Sequence, residues 1–206
     1  IVSGHYDSRV SDPMNAKDFA PGANDDGSGT AAVIELARVM SQYEFDANII
    51  FITVAAEEQG LFGARHFAQV VKEKGYQVEA MFTNDIVGNS KDETGKIDDQ
   101  TIRVFAQGIP PNDSLTRYEK TLLSTGGEND TPSRQLARLI DESAQTYLPG
   151  FKVNTIYRKD RYLRGGDHSP FLEEGFAAVR FSEPNEVFTQ QHQDVRLENG
   201  VQYGDL

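Results

Sequence analysis

A buried strand adjoins a pair of carboxylates in the stretch Asn48-Ile49-Ile50-Phe51-Ile52-Thr53-Val54-Ala55-Ala56-Glu57-Glu58. The β-branched and aromatic residues of segment 48–55 predict a central strand that is buried on both faces. Two adjacent carboxylates after such a strand repel each other and resist ionisation unless something cationic receives them. The stretch therefore predicts a sheet with a cation-binding site at the carboxyl end of this strand. In isolation, an exposed strand-to-helix turn is an equally good interpretation.

Strand and helix patterns alternate along the rest of the chain. Further strands are predicted at residues 1–4, 78–87, 101–107, 152–157 and 176–181, and helices at 30–42, 64–74 and 132–147. Segment 108–133 is polar and punctuated by Pro, Asn, Asp and Gly, which predicts a long surface loop. The alternation predicts a three-layer α/β fold in which a central, mostly parallel mixed sheet carries helices on both faces.

Composition limits the classes of partner. The chain has 206 residues, of which 38% are hydrophobic, and this predicts a single domain over residues 1–206. The formal net charge of −12 disfavours nucleic acid and anionic membrane surfaces as partners. The longest apolar run is shorter than the ~20 residues of a membrane span. The start Ile1-Val2-Ser3 resembles the end of a strand, so we expect a chain trimmed at its amino end; no pattern indicates an oligomeric state.

Polar residues cluster where the predicted strands end. They are His5, Asp7, Asp25, Asp26, Glu57, Glu58, Asp85 and His192. Sites of open α/β sheets lie beyond these strand ends. The chain has no cysteine, and a donor set of carboxylates and imidazoles suits Zn²⁺, with Mn²⁺ or Co²⁺ as alternatives. Taken alone, Asp25 and Asp26 are more typical of a helix cap and His192 of a solvated histidine, but the full set favours a metal site.

The spacing of His5 and Asp7 is a further sign of a metal site. A ligating imidazole usually donates its other N–H to a carboxylate, and Asp7 is expected to fix the orientation of His5 in this way. Two ions ~3.5–4 Å apart can also share one bridging carboxylate. The number of carboxylates at the strand ends is sufficient for such a pair.

Five ordered motifs carry a family resemblance. They are Gly4-His5-Tyr6-Asp7-Ser8, Pro21-Gly22-Ala23-Asn24-Asp25-Asp26-Gly27-Ser28-Gly29, Ala56-Glu57-Glu58-Gln59-Gly60, Asn84-Asp85-Ile86-Val87-Gly88 and Gly166-Asp167-His168-Ser169-Pro170-Phe171. In this order they resemble the signature blocks of the secreted di-zinc aminopeptidases, which are related to glutamate carboxypeptidase and glutaminyl cyclase. The resemblance extends from His5 to His192 and implies the zinc-peptidase fold.

The resemblance implies a particular ligand set for two zinc ions. His5 and Asp85 hold one ion, and Glu58 and His192 hold the other. Asp25 bridges both ions. The expected substrate is a peptide with a free amino terminus, whose first peptide bond is hydrolysed. The resemblance also implies an extracellular or periplasmic location.

The resemblance also assigns the remaining roles. Glu57 is the general base, and the peptide bond between Asp25 and Asp26 is expected to be cis. The group that polarises the substrate carbonyl falls in the segment Arg161-Tyr162-Leu163-Arg164-Gly165-Gly166. Tyr162 is our prediction for this role, with Arg164 as the alternative.

Three other functions fit the same motifs. A carboxypeptidase on the same site would need cations for the substrate's carboxylate, and Arg158, Arg161 and Arg164 leave that open. A glutaminyl-cyclase-like acyltransferase uses a single zinc, and the presence of both His5 and Asp25 argues against it. A non-catalytic binding module would not need the complete ligand set or the general base.

Overall fold

The computed structural model describes residues 1–109, 115–162 and 164–204 and is built around a six-stranded sheet. The strands are β1 (Val2–His5), β2 (Phe51–Val54), β3 (Met81–Asn84), β4 (Thr101–Phe105), β5 (Lys152–Ile156) and β6 (Ala178–Ser182). Their order across the sheet is β2-β1-β3-β6-β4-β5. Neighbours run parallel except for β4 and β6, which are antiparallel. This confirms the mostly parallel mixed sheet that the sequence predicts.

Helices cover both faces of the sheet. The described helices are α1 (Ser28–Met40), α2 (Phe62–Glu73), α3 (Arg117–Thr125), α4 (Pro132–Tyr147) and α5 (His168–Glu173). Of these, α1, α2, α4 and α5 pack against the sheet. Adjacent residues of a strand point to opposite faces. In β6, Ala178 packs with α2 and α5, whereas Val179 packs with Ala137 of α4. Among the described residues, no helix is both long and apolar enough to cross a bilayer.

The core-facing side of α2 shows why these segments form helices. Ala64, Ala68 and Val71 recur at helical spacing and are fully buried. They meet Phe171 of α5 and Met81 of β3 in one apolar cluster. The remaining positions of α2 are polar or partly exposed, so burial of this single stripe positions the helix on the sheet.

The position of β2 differs from the prediction. Segment 48–55 was expected to form a central strand, but β2 lies at the sheet edge, where β1 is its partner. Phe51, Ile52 and Thr53 are only half-buried. The apolar run reflects packing of β2 against helices, with Val54 in the α2 and α5 cluster and α1 also in contact. An apolar run of this kind indicates that helices pack on the strand, but it does not show whether the strand has one neighbour in the sheet or two.

Segment 108–133 contains more structure than the expected surface loop. Helix α3 and a short 3₁₀ turn, Gly127–Asp130, fall within it, while residues 110–114 lie outside the described part of the chain. Helix α3 has only nine residues and buries none of them, and the Pro, Asn, Asp and Gly residues of its segment favour a loop. The available signal was the capping box, in which Thr116 and Glu119 each accept a hydrogen bond from the other's backbone N–H.

Two glycines bring α1 close to the end of β1. A Cβ atom on Gly4 would lie 2.7 Å from the carbonyl carbon of Gly29. A Cβ on Gly29 would lie 2.4 Å from a carboxylate oxygen of Asp26. Only residues without side chains permit this approach. It places the first turn of α1 beside His5 at the carboxyl edge of the sheet.

Candidate active site

The carboxyl edge of the sheet gathers the residues that the sequence singled out as metal ligands and general base. Strand β1 ends at its histidine, and acidic residues follow β2 and β3. Another aspartate lies in the turn Ala23–Gly27 that precedes α1, and the last histidine lies between β6 and the hairpin of β7 (Arg196–Glu198) and β8 (Val201–Tyr203). The gathered residues are His5, Asp25, Glu57, Glu58, Asp85 and His192.

Asp25 lies between the two histidines. One of its oxygens, Oδ1, is 3.3 Å from Nε2 of His5, and the other, Oδ2, is 2.9 Å from Nε2 of His192. Oε1 of Glu58 is also 2.9 Å from Nε2 of His192, yet it accepts no hydrogen bond from any residue that the structure describes. A buried acceptor left unpaired beside an imidazole nitrogen is the arrangement that a bound cation would satisfy.

Two groups of potential ligand atoms form at this edge, each with its atoms within 4.8 Å of one another. They are His5 with Asp26 and Asp85, and Asp25 with Glu58 and His192. Because Asp25 also contacts His5, it belongs to both places. All donors are carboxylate oxygens or imidazole nitrogens, a set that fits zinc. The residues present therefore fit the metal that the sequence predicts.

Asp26 has a structural role although it lies in the first of these groups. Its Oδ2 accepts a hydrogen bond from the backbone N–H of His5 at 2.9 Å. Its Oδ1 accepts from Gly29 at 3.0 Å and from Ile86 at 3.1 Å. The carboxylate thus ties together β1, α1 and the end of β3. The peptide bond between Asp25 and Asp26 is cis, as the family resemblance implies.

Asp7 acts differently from the expectation. The nearest acceptor to Nδ1 of His5 is the backbone carbonyl of Asp7 at 3.0 Å, and the carboxylate lies farther away at 3.6 Å. The carboxylate instead accepts the backbone N–H groups of Glu57 and Glu58, each at 3.2 Å. The side chain of Asp7 therefore fixes the backbone of the two glutamates against the end of β1.

Left-handed backbone conformations occur next to the site residues. Ala56, Ile86 and His192 have φ angles of 57°, 61° and 54°. Non-glycine residues adopt this region at a cost of roughly 1–2 kcal/mol each. Ala56 precedes Glu57 and Ile86 follows Asp85, so the turns that aim these carboxylates into the site carry the strain.

Arg180 is a site residue that sequence reasoning missed. Its buried guanidinium donates from Nη2 to Oδ1 of Asp85 at 3.0 Å and from Nη1 to Oδ1 of Asp160 at 3.2 Å. A signal was present, because an arginine within the predicted apolar strand 176–181 needs a buried acidic partner. Arg180 holds one oxygen of Asp85 and thereby fixes the orientation of that carboxylate.

The site concentrates negative charge in a buried place. Burial and the nearby charge of Asp85 raise the pKa of Glu57 well above its usual range. Burial likewise raises the pKa of Glu58. Burial opposes the charged form of His192, but its contacts with Asp25 and Glu58 outweigh this and raise its pKa to about 9. A metal ion that binds here would displace the proton of His192.

A cavity of about 340 Å³ opens over these groups. Arg161 and Arg164 belong to its lining, whereas Tyr162 lies outside it, 56% exposed and with its ring centroid 6.0 Å from that of Phe188. Leu163, in the same segment, is outside the described residues. The structure thus does not bring Tyr162 to the cavity. Its assignment as the carbonyl-polarising group stays a prediction, and the alternative residue Arg164 lines the cavity.

Comparison with known sequences gives related proteins over the whole chain. The model of peptidase family M28 matches residues 1–196. A probable zinc metalloprotease of Leptosphaeria maculans is 52% identical over 206 residues, which cover 100% of this chain and 48% of that protein. A probable zinc metalloprotease of Pyrenophora tritici-repentis is 51% identical over 207 residues, covering 100% and 43% respectively. The chain thus spans slightly less than half the length of these curated relatives.

Comparison with solved structures gives the same fold. A zinc aminopeptidase from Bacillus subtilis superposes with a TM-score of 0.59 at 28% sequence identity. The match covers 94% of this chain and 39% of that enzyme.

Proposed function

Because this chain belongs to peptidase family M28, we propose that it forms the catalytic domain of a two-zinc aminopeptidase, which removes residues from the free amino end of peptides. The observation that supports two ions is the position of Asp25. Its two oxygens face the imidazole nitrogens of two different histidines, His5 and His192. A carboxylate with one oxygen directed to each of two ligand groups is suited to bridge a pair of ions.

In this proposal, the ligand groups divide between the ions. His5 and Asp85 would hold one ion, Glu58 and His192 would hold the other, and Asp25 would be shared by both groups. Bound zinc supplies Lewis-acid chemistry, which lowers the pKa of a water molecule and polarises the peptide carbonyl.

Glu57 is the general base in this proposal. It lines the cavity, and Asp7 fixes its backbone through the hydrogen bond to its N–H. Burial raises the pKa of Glu57 well above its usual range, which makes the carboxylate a stronger base. Glu57 takes a proton from the attacking water and delivers it to the leaving amine. Tyr162 or Arg164 stabilises the charge that develops on the carbonyl oxygen.

A panel of chromogenic amino-acid amides tests the direction of cleavage. The zinc-loaded protein should cleave the amides that carry a free amino group and leave the N-acetylated forms of the same compounds intact. The reason is that an exopeptidase acting from the amino end must recognise the terminal ammonium. Initial rates of chromophore release for each matched pair give the result. Equal cleavage of blocked and free forms would contradict aminopeptidase action. Hydrolysis of an N-acetylated dipeptide with a free carboxyl end, tested beside the panel, would indicate a carboxypeptidase.

Metal removal should destabilise the protein, and the effect should grow with pH. The raised pKa of His192 means that the metal-free fold binds a proton more tightly than the unfolded chain does. Stability from this proton is complete below about pH 6.5 and is lost as the pH rises towards 9. Zinc replaces that proton, so the melting temperature should fall more on chelation at pH 8.5 than at pH 6.5. Calorimetric scans of chelated and zinc-loaded protein at the two pH values measure the difference.

Metal content of the purified, zinc-equilibrated protein accompanies those scans. About two zinc ions per chain are expected of the proposed peptidase. One ion would favour a cyclase-like acyltransferase, and none would favour a binding module. A melting temperature that does not respond to the chelator at either pH would remove the metal from the proposal.

A further inference from the structure

The lining of the cavity over the site includes several cations, in a protein of strongly acidic composition. Four of its lining residues are arginines, although the chain has a formal net charge of −12. They are Arg9, Arg161, Arg164 and Arg180. Two of the four are neutralised within the fold. Arg180 pairs with Asp85 and Asp160, and Arg161 contacts the carboxylate of Glu186.

The other two arginines are positioned by neutral groups. Arg9 donates from Nε to the carbonyl of Val10 at 3.1 Å and from Nη2 to the carbonyl of Ser11 at 3.2 Å. The guanidinium of Arg164 lies over the ring of Tyr162, 5.6 Å from its centroid. Within the described part of the chain, neither has a carboxylate within 4.0 Å. Neither guanidinium is paired with a carboxylate of the described residues, and Arg9 is half-buried whereas Arg164 is exposed to solvent.

The cavity therefore has two kinds of charge. Asp25, Glu57 and Glu58 line it together with the two uncompensated arginines. A substrate's terminal ammonium is attracted to carboxylates and repelled by guanidinium groups, so the arginines do not serve that end of a peptide. The volume of about 340 Å³ is at the lower end of the range for small-molecule sites, which suits a peptide segment of about two residues. The chemical group that matches the arginines in such a segment is a carboxylate.

We propose that Arg9 and Arg164 bind a substrate carboxylate that lies within one residue of the scissile bond. The preferred substrates are then short peptides whose second residue is anionic, through either its terminal carboxylate in a dipeptide or an acidic side chain. Guanidinium groups bind carboxylates by charge-assisted hydrogen bonds in a fixed planar geometry. The inference rests on the proposed function only in placing the scissile bond in this cavity.

Two matched substrate pairs test the preference and identify the source of the carboxylate. Alanyl-alanine is compared with its C-terminal amide, which differs only in the terminal carboxylate. The C-terminal amide of alanyl-aspartate is compared with that of alanyl-asparagine, which differs only in the side-chain carboxylate. We expect kcat/KM of the zinc-loaded protein to be at least ~10-fold higher for the anionic member of one or both pairs, the scale of one charged hydrogen bond. The pair that responds shows whether the terminal or the side-chain carboxylate is recognised. Equal values within both pairs would overturn the proposal.

Variants assign the preference to the two residues. Arg9→Gln and Arg164→Gln should each reduce the anionic-to-neutral ratio of kcat/KM by about 10-fold. Arg158→Gln is the matched control, because Arg158 is exposed and lies outside the cavity lining. Its ratio should equal that of the wild type. The ratio is the informative quantity, since loss of an oxyanion contact at Arg164 would slow both members of a pair alike. A ratio that survives in both cavity variants would contradict the assignment.

Equilibrium binding separates this proposal from the proposed activity. A dipeptide analogue with a reduced peptide bond, as free acid and as amide, is titrated calorimetrically into the zinc-loaded wild type and the three variants. The acid should bind at least ~10-fold more tightly than the amide, and the Arg9 and Arg164 variants should lose this difference. Tight acid binding without hydrolysis of any peptide would refute the peptidase and retain the carboxylate site. Hydrolysis of peptides without tighter binding of the acid would retain the peptidase and refute the carboxylate site. Melting temperature and zinc content of each variant exclude misfolding.

Discussion

Replacing Glu57 with Gln should lower kcat by at least ~100-fold, the usual scale for loss of a general base, while the zinc content remains that of the wild type. Glutamine preserves the shape and can donate or accept a hydrogen bond, but it cannot take the proton of the attacking water. The backbone of Glu57 is held by Asp7 and does not depend on the altered group. Steady-state kinetics with an amino-acid amide and metal analysis of the same sample test both parts.

The adjacent variant Glu58→Gln is the matched comparison. Glu58 faces His192 with an oxygen that accepts no hydrogen bond within the described residues, so its loss should weaken the hold on one ion. Part of the lost activity should return with excess zinc, which should not rescue Glu57→Gln. If Glu57→Gln were the variant that lost zinc, or if the two behaved alike, the assigned roles would be wrong.

Replacing Asp25 with Ala should remove both ions, with almost complete loss of activity. Asp25 is the carboxylate whose two oxygens approach His5 and His192 separately. Its removal takes a ligand from each group and leaves the remaining charges without their central partner. The isosteric Asp25→Asn should also lose metal, because a neutral amide is a weak zinc ligand. Elemental analysis after dialysis against a fixed low zinc concentration measures the content.

Single histidine variants provide the comparison for Asp25. His5→Ala and His192→Ala each remove a ligand from one group, so each should retain about one ion under the same dialysis. Their activity should exceed that of Asp25→Ala. Two ions retained in Asp25→Ala would contradict the bridge, and loss of both ions from each histidine variant would show that the two sites do not load independently.

Elements whose formation depends on local sequence patterns were predicted correctly, and features that depend on contacts between distant parts of the chain were not. Helices α1, α2 and α4 were predicted within a few residues of their bounds, because apolar residues recur at helical spacing in each segment, although Leu36 and Val39 of α1 are exposed. Helix α3 has only nine residues, buries none of them, and lies in a segment whose Pro, Asn, Asp and Gly residues predicted a loop. The edge position of β2 was missed for a related reason, since its apolar run records contact with helices and carries no information on its neighbours in the sheet.

Among the side chains of the site, too, local motifs were predicted and long-range contacts were not. The short motifs around His5, Asp25, Glu57 and Asp85 indicated the gathered groups, because parallel strands bring their carboxyl ends to one edge. Sequence alone could not show that the carboxylate of Asp7 supports the glutamates, since that bond connects loops 50 residues apart along the chain. The roles of the ligands and the base stay predictions for the variants above to test.

The sequence by itself determined the fold class, the kinds of donor atom and the family resemblance, because these depend on local periodicity and short motifs. The tertiary structure decided which cations share the cavity. Three arginines near one another in sequence looked alike, but Arg161 is paired with Glu186, Arg158 lies outside the lining, and Arg164 is uncompensated. Arg9, from a distant loop, joins Arg164 in the same cavity. Charge compensation depends on distances through space, which packing of the whole chain sets.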